Sequence, residues 1–171
     1  MPENMIGFTD LIGRHNVSKA GVRFDAIGAI DEANSAISLA KSFCELPARR
    51  VTLEKTQQEL SMIMADLAGM TQFSSALPGE SSQIQTALSE LESFISELQH
   101  QITNPGRFIL GGSNSYSGAL NLARSIARRA ERDVLKFYES EGPVNPFIAQ
   151  YLNRLSMMLF FLELEAENKA G

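Results

Sequence analysis

One cysteine, two histidines and no tryptophan remove several chemistries from this chain at once. Cys44 has no second cysteine to pair with and makes no cysteine-based zinc site. It ends an apolar helical stretch and reads as a small buried hydrophobe. Aromatic residues are 8% of the chain and do not interleave with Lys or Arg as a single-strand platform requires. The net charge of −5 also argues against generic nucleic-acid binding. The longest apolar run near the C-terminus, Met157–Leu162, is too short to span a bilayer. Met1-Pro2-Glu3-Asn4-Met5 has neither the charged nor the apolar region of a signal peptide, so the expected compartment is the cytoplasm. There is no Gly-x-Ser-x-Gly elbow and no plausible Ser–His–Asp set. Glu97 and His100 have the Glu-x-x-His spacing of di-iron bundles. That chemistry needs two such motifs on facing helices, and the other histidine, His15, lies in a glycine-bearing N-terminal segment.

Helical periodicity is what the chain has in abundance. At 171 residues it is expected to form one domain, residues 1–171, large enough for a real core. Five stretches carry apolar stripes at helical spacing, near 23–44, 48–70, 82–102, 115–139 and 145–167. Pro78-Gly79, Asn104-Pro105-Gly106 and Gly142-Pro143 punctuate them. Strand signals are confined to short pieces near Phe8–Ile12 and Phe108–Leu110. The expected fold is all-α, a five-helix bundle with a short irregular N-terminal segment.

Within the fourth helix, Arg124, Arg128 and Arg132 recur every four residues. A helix stacks such residues along one stripe. Like charges at that spacing destabilise a helix by a few tenths of a kcal/mol per pair. A polyanion or partner carboxylates would relieve the repulsion, and Arg grips phosphate oxygens in a bidentate fork. Glu131 and Asp133 lie close enough for an ordinary salt-bridged, solvated face, and that reading stays open. Asp31 falls at the edge of an apolar stripe on the first helix. It is either exposed or paired with an Arg of the fourth helix, within the chain or across an interface. The segment Gly7-Phe8-Thr9-Asp10-Leu11-Ile12-Gly13 is a plain glycine-bearing turn or a place where backbone N–H groups approach phosphates. Lys19 is unremarkable by itself. Asn153 lies beside the stripe of the fifth helix, as an exposed polar group or as one hydrogen-bonding in a helix–helix groove.

Taken in order, these segments resemble the ATP:cob(I)alamin adenosyltransferases of the PduO type, from Gly7 to about Leu162. Gly7-Phe8-Thr9-Asp10-Leu11 looks like the end of that family's glycine-rich nucleotide loop. Val17-Ser18-Lys19 and Arg23–Gly28 follow at the family's spacing, and Ile30-Asp31-Glu32-Ala33-Asn34-Ser35 resembles its Val-Asp-Glu-Leu-Asn-Ser signature. Phe108–Ser113 resembles Phe-Ile-Leu-Pro-Gly-Gly-Ser with one residue fewer. Ala123–Arg132 resembles the Arg-Arg-Ala-Glu-Arg signature, and Tyr151–Ser156 the last motif. Where the family loop reads Thr-Lys-Thr-Gly-Asp-Lys-Gly-Thr-Thr, this chain has Pro2–Thr9, retaining only the final Gly and Thr. Met157 stands where the family usually has Asp.

The resemblance implies a homotrimer with sites between subunits. ATP would be held by Gly7, Thr9, Lys19, Arg128, Arg129, Glu131, Arg132 and Asn153, with Mg²⁺ carried on its phosphates. Asp31 and Arg124 would form a salt bridge across the interface, and Phe108 would lie on the corrinoid side. Arg128, Arg132 and Phe108 would serve the reaction directly. The implied reaction is attack of cob(I)alamin on the 5′ carbon of ATP, expelling triphosphate and forming adenosylcobalamin. The cobalt is the nucleophile, so no catalytic Ser, Cys or His is required. A reductase or a B12-dependent mutase is an implied partner. Two alternatives stay open: a trimer that binds nucleotide or corrinoid with little turnover, as a carrier or regulator, and a helical bundle that keeps the scaffold for assembly only.

Overall fold

The computed structural model describes residues 6–11, 14–70, 82–102, 106, 110–142 and 145–168. The N-terminal segment, expected to be irregular, forms a short antiparallel hairpin of β1 (Phe8–Leu11) and β2 (Arg14–Ser18). Phe8 lies opposite Ser18 and Thr9 opposite Val17. The Lys19 backbone N–H donates to the Gly7 carbonyl at 2.7 Å and closes the open end. Gly7 has φ 86°, a conformation that glycine adopts without a Cβ clash.

Five helices follow: α1 (Val22–Phe43), α2 (Pro47–Leu67), α3 (Gln83–Gln101), α4 (Ser115–Glu141) and α5 (Pro146–Asn168). Their ends follow local chemistry. Pro47 begins α2, where its missing N–H has no helical partner to lose. Ser82 and Gln85 close a reciprocal capping box on α3. Asn114 and Ser117 do the same for α4, with the Asn114 side chain accepting from the Ser117 N–H at 2.9 Å. Gly142 ends α4 at φ 83°.

Packing proceeds from α2 to α1, α1 to α4, α4 to α5 and α5 to α3. α1 buries Ala26, Ala29, Ala33, Ala36 and Ala40, and α4 buries Ala119, Ala123, Ala127 and Ala130. Small side chains on both helices permit close approach of their axes. Larger residues, among them Ile30, Leu53, Leu60, Leu120, Tyr151 and Leu155, fill the rest of the core without exposure. α4 therefore sits between two neighbours, and its buried alanine face fixes which way its opposite face points.

Two buried ionic groups tie the elements. Arg23 donates to the Leu67 carbonyl at 2.5 Å and to Glu141 at 2.6 Å, and its guanidinium lies 4.7 Å from the Phe137 ring centre. It thereby joins the start of α1 to the ends of α2 and α4. Glu59 accepts from the Tyr151 hydroxyl at 2.5 Å. Burial pushes the Glu59 carboxyl above its ordinary range, outweighing that hydrogen bond and the nearby Lys55. Cys44 is buried, and Glu97 and His100 are both exposed on α3. Among the described residues, no helix is long and apolar enough to cross a membrane.

Candidate functional site

Ala123, Ala127, Ala130 and Val134 turn α4 toward the core, so helical geometry places Arg124, Arg128 and Arg132 along its outer face. Arg128 and Arg132 are exposed, while the Arg124 side chain is 30% exposed. An Arg132 terminal nitrogen donates to the Arg128 carbonyl at 3.0 Å, which lays that guanidinium back along the helix. Three cations thus form one ridge.

Both flanks of the ridge are fixed by polar links. On the α1 side, Arg129 forms an ion pair with Glu32. On the α5 side, Asn153 donates its amide to Glu131 at 2.9 Å. Asn153 is thus exposed and also bonded across the α4–α5 groove. Beyond it opens a cavity of about 300 Å³ lined by Glu92, Glu131, Ala149, Gln150, Asn153 and Arg154, with Arg154 donating to Glu92 at 3.0 Å. Arg128, Arg129, Glu131, Arg132 and Asn153 therefore gather on one outer surface of the bundle.

Other expected residues lie apart in the single chain. Gly7, Thr9 and Lys19 belong to the hairpin, and among the described residues none of them hydrogen-bonds or ion-pairs with the ridge. Asp31 is exposed, and the in-chain ion pair to α4 is made by its neighbour, Glu32. Arg124 has its in-chain contact with Glu163 of α5, Nε to Oε2 at 3.3 Å. Phe108 lies outside the described residues.

The turn entering α4 is held by α5. Glu167 accepts from the N–H groups of Gly112 and Ser113 at 2.8 and 3.2 Å. Burial, which raises the Glu167 pKa, is outweighed by hydrogen bonds from Ser113, Ser117 and those backbone groups, so its carboxyl titrates below the usual range.

Sequence reasoning missed Glu32, Asn121, Glu163 and Glu167. Glu163 carried a usable signal, a carboxylate beside Leu159 and Leu162 on a core-facing stripe, where burial demands a partner. Glu32 and Glu167 look like ordinary surface charge until the neighbouring helices are in place.

Chemically, the ridge suits a ligand with several negative charges. Two exposed guanidiniums one turn apart can each fork onto phosphate oxygens, and a bound polyanion cancels their mutual repulsion. Among the described residues no group of three or more His, Cys, Asp or Glu could hold a metal ion.

Comparison with known proteins identifies the family. Residues 6–166 match the family model described as cobalamin adenosyltransferase. The chain is 35% identical over 162 residues to the corrinoid adenosyltransferase of Mycobacterium leprae, covering 91% of this chain and 84% of that protein. It is 31% identical to the corrinoid adenosyltransferase PduO of Citrobacter freundii over 96% of this chain and 48% of that protein. The chain thus spans about half the length of the PduO proteins it matches. A solved structure of a phenylalanine-to-alanine variant of the PduO-type ATP:corrinoid adenosyltransferase from Lactobacillus reuteri, complexed with cobalamin and ATP, superimposes with a TM-score of 0.79. That match has 29% identity and covers 94% of this chain and 88% of the other. By its match to the family model over residues 6–166 and its identity to these relatives, the chain belongs to the cobalamin adenosyltransferase family.

Proposed function

We propose that this protein transfers the 5′-deoxyadenosyl group of ATP to cob(I)alamin, releasing triphosphate and forming adenosylcobalamin. The observation that carries the reading is the outer ridge of half-buried Arg124 and exposed Arg128 and Arg132, bounded by the Arg129–Glu32 and Asn153–Glu131 links. In the reaction, the cobalt electron pair forms the bond to the 5′ carbon while the C5′–O bond breaks. The departing electron pair leaves on triphosphate. The developing charge is therefore on the phosphate tail, where Arg128 and Arg132 would meet it. Preorganised cations aimed at developing charge act more strongly there than on the ground state. Mg²⁺ would enter as part of the MgATP substrate and add positive charge at the phosphate tail. The hairpin residues Gly7, Thr9 and Lys19 would close over the nucleotide from another subunit, and Phe108 would line the corrinoid side and exclude water.

By the same reading we place the protein in the cytoplasm as a homotrimer. Support for assembly lies beside the ridge. Leu39 of α1 and Leu122 and Leu135 of α4 are 46%, 49% and 44% exposed. The antiparallel pairing of Glu32 with Arg129 sets Leu39 level with Leu122, so a mixed apolar and cationic surface stands uncovered. A neighbouring subunit that covers it would bring its Asp31 to Arg124. A reductase or a B12-dependent mutase would supply the substrate or receive the product.

The test is an anaerobic assay with chemically reduced cobalamin and MgATP. The expected result is a light-sensitive adenosylcobalamin product formed with one triphosphate per turnover. Saturable nucleotide or corrinoid binding without product would instead establish the carrier or regulator. No saturable binding of MgATP at millimolar concentration would remove both.

A further inference from the structure

Glu163 is fully buried in α5, among leucines and phenylalanines, yet it reaches two residues of α4 and the turn that enters that helix. Its Oε1 accepts from the Asn121 amide at 2.5 Å. Its Oε2 lies 3.3 Å from Arg124 Nε, and the angles leave both atoms buried without a hydrogen bond. The Arg124 guanidinium also passes 5.9 Å from the Phe160 ring centre. The turn before α4 rests directly on the same carboxylate. A Cβ placed on Gly111 would lie 2.3 Å from Glu163 Oε1 and 2.9 Å from Asn121 Nδ2. Any side chain at position 111 displaces the turn or the carboxylate.

Stability alone gives a weak reason for this arrangement. A buried carboxylate with an imperfectly aligned Arg recovers little of its desolvation cost, and a hydrophobic residue in that stripe would pack more cheaply. What the carboxylate does supply is geometry. Its charge faces the inner nitrogen of Arg124, whose side chain keeps 30% exposure. The carboxylate also fixes the height of Gly111, three residues beyond Phe108. One helical turn later, Glu167 holds Gly112 and Ser113 of the same turn.

We infer that Glu163 is a positioning residue that couples Arg124 on the ridge to the Gly111 turn, and so sets the acceptor side of the site. The inference rests on the adenosyl-transfer reading for its functional consequence. Among the described residues Glu163 has no hydrogen bond or ion pair with Arg128, Arg129, Arg132 or Asn153, so its direct reach is Arg124 and the Gly111 turn, and its larger effect falls on the corrinoid side.

The experiment is steady-state kinetics with reduced cobalamin and MgATP on Glu163→Gln, Gly111→Ala, Glu163→Ala and the Gly111→Ala/Glu163→Ala pair, with melting curves on each. Glu163→Gln keeps the shape and removes the charge. It is expected to raise the KM for cobalamin about tenfold while the KM for ATP stays within twofold. A merely structural role would lower the active fraction and leave both KM values unchanged, and that result overturns the inference. Gly111→Ala is expected to raise the cobalamin KM at least tenfold, and adding Glu163→Ala is expected to return it to within threefold of Glu163→Ala alone. Additive effects overturn the coupling. If the unsubstituted protein transfers no adenosyl group, the reading of its function fails. The coupling is then judged by melting: the pair must melt above Gly111→Ala, and failure to do so refutes it.

Discussion

Replacing Arg23 with Met removes the cation that joins three helix ends and leaves most of its volume in place. The side chain is 8% exposed, bonded to the Leu67 carbonyl and to Glu141, and stacked on Phe137. Removing one partner of a buried ion pair costs about 3–5 kcal/mol. The Glu141 side chain is 30% exposed and can turn toward water, which moves the expectation to the lower end of that range. The Leu67 carbonyl loses a charged donor at the end of α2, an additional loss of about 1–3 kcal/mol when the acceptor stays dry. Met keeps contact with Phe137 and offsets part of this. A net loss of about 3 kcal/mol corresponds to a fall of roughly 6–12 °C in melting temperature for a chain of this size. The assay is thermal unfolding followed by circular dichroism at one fixed protein concentration, because the proposed assembly would couple to melting. Glu141→Gln, which keeps an acceptor, is expected to shift less. A fall of under 2 °C for Arg23→Met would refute the clamp and with it the claim that α1, α2 and α4 are locked together just behind the hairpin.

Glu59 gives a prediction of opposite sign. Its folded pKa is raised by burial, so its ionisation opposes folding above that pKa, and the penalty disappears as pH falls to the ordinary Glu value of 4.5. Glu59→Gln retains an acceptor for Tyr151 and is expected to melt above the unsubstituted protein at pH 8, with the advantage shrinking toward pH 4.5. An advantage independent of pH would show that ionisation is not its source. Asp31 is exposed in the single chain, so Asp31→Ala is expected to leave far-ultraviolet circular dichroism unchanged while weakening the proposed trimer in sedimentation velocity or lowering turnover. Unaltered mass and rate would remove Asp31 from the interface.

The helices were legible because apolar residues recur at helical spacing and because Asn104-Pro105-Gly106 and Gly142-Pro143 mark ends, while the caps at Pro47 and Asn114 show only in the structure. The end of α2 falls at Leu67, short of the expected Met70, with Gly69 in a positive-φ turn. The strand signal near Phe8–Ile12 corresponds to β1, while β2 and its pairing escaped notice because the strands are four and five residues long and mostly exposed, so they carry little alternation. At the site, the arginine spacing announced the ridge, since a single helix determines it. Partner choice did not show, since it depends on how helices are juxtaposed. Glu32, not Asp31, reaches Arg129, and Glu163, distant in sequence, reaches Arg124. The assignment of Asp31 to a neighbouring subunit and of Phe108 to the corrinoid side rests on family resemblance.

The central claim is that the outer ridge of α4 stabilises a departing triphosphate. Arg128 is exposed, and among the described residues it makes no ion pair, while its carbonyl contact to Arg132 survives truncation of its side chain. Arg128→Ala also relieves like-charge repulsion with Arg124 and Arg132, worth a few tenths of a kcal/mol per pair. Stability and catalysis should therefore separate. The account predicts an unchanged or slightly raised melting temperature together with a loss of about 10²–10³-fold in kcat for adenosylcobalamin formation, or roughly 3–4 kcal/mol of transition-state stabilisation. A rate within threefold of the unsubstituted protein, in a variant that folds and assembles normally, would contradict it.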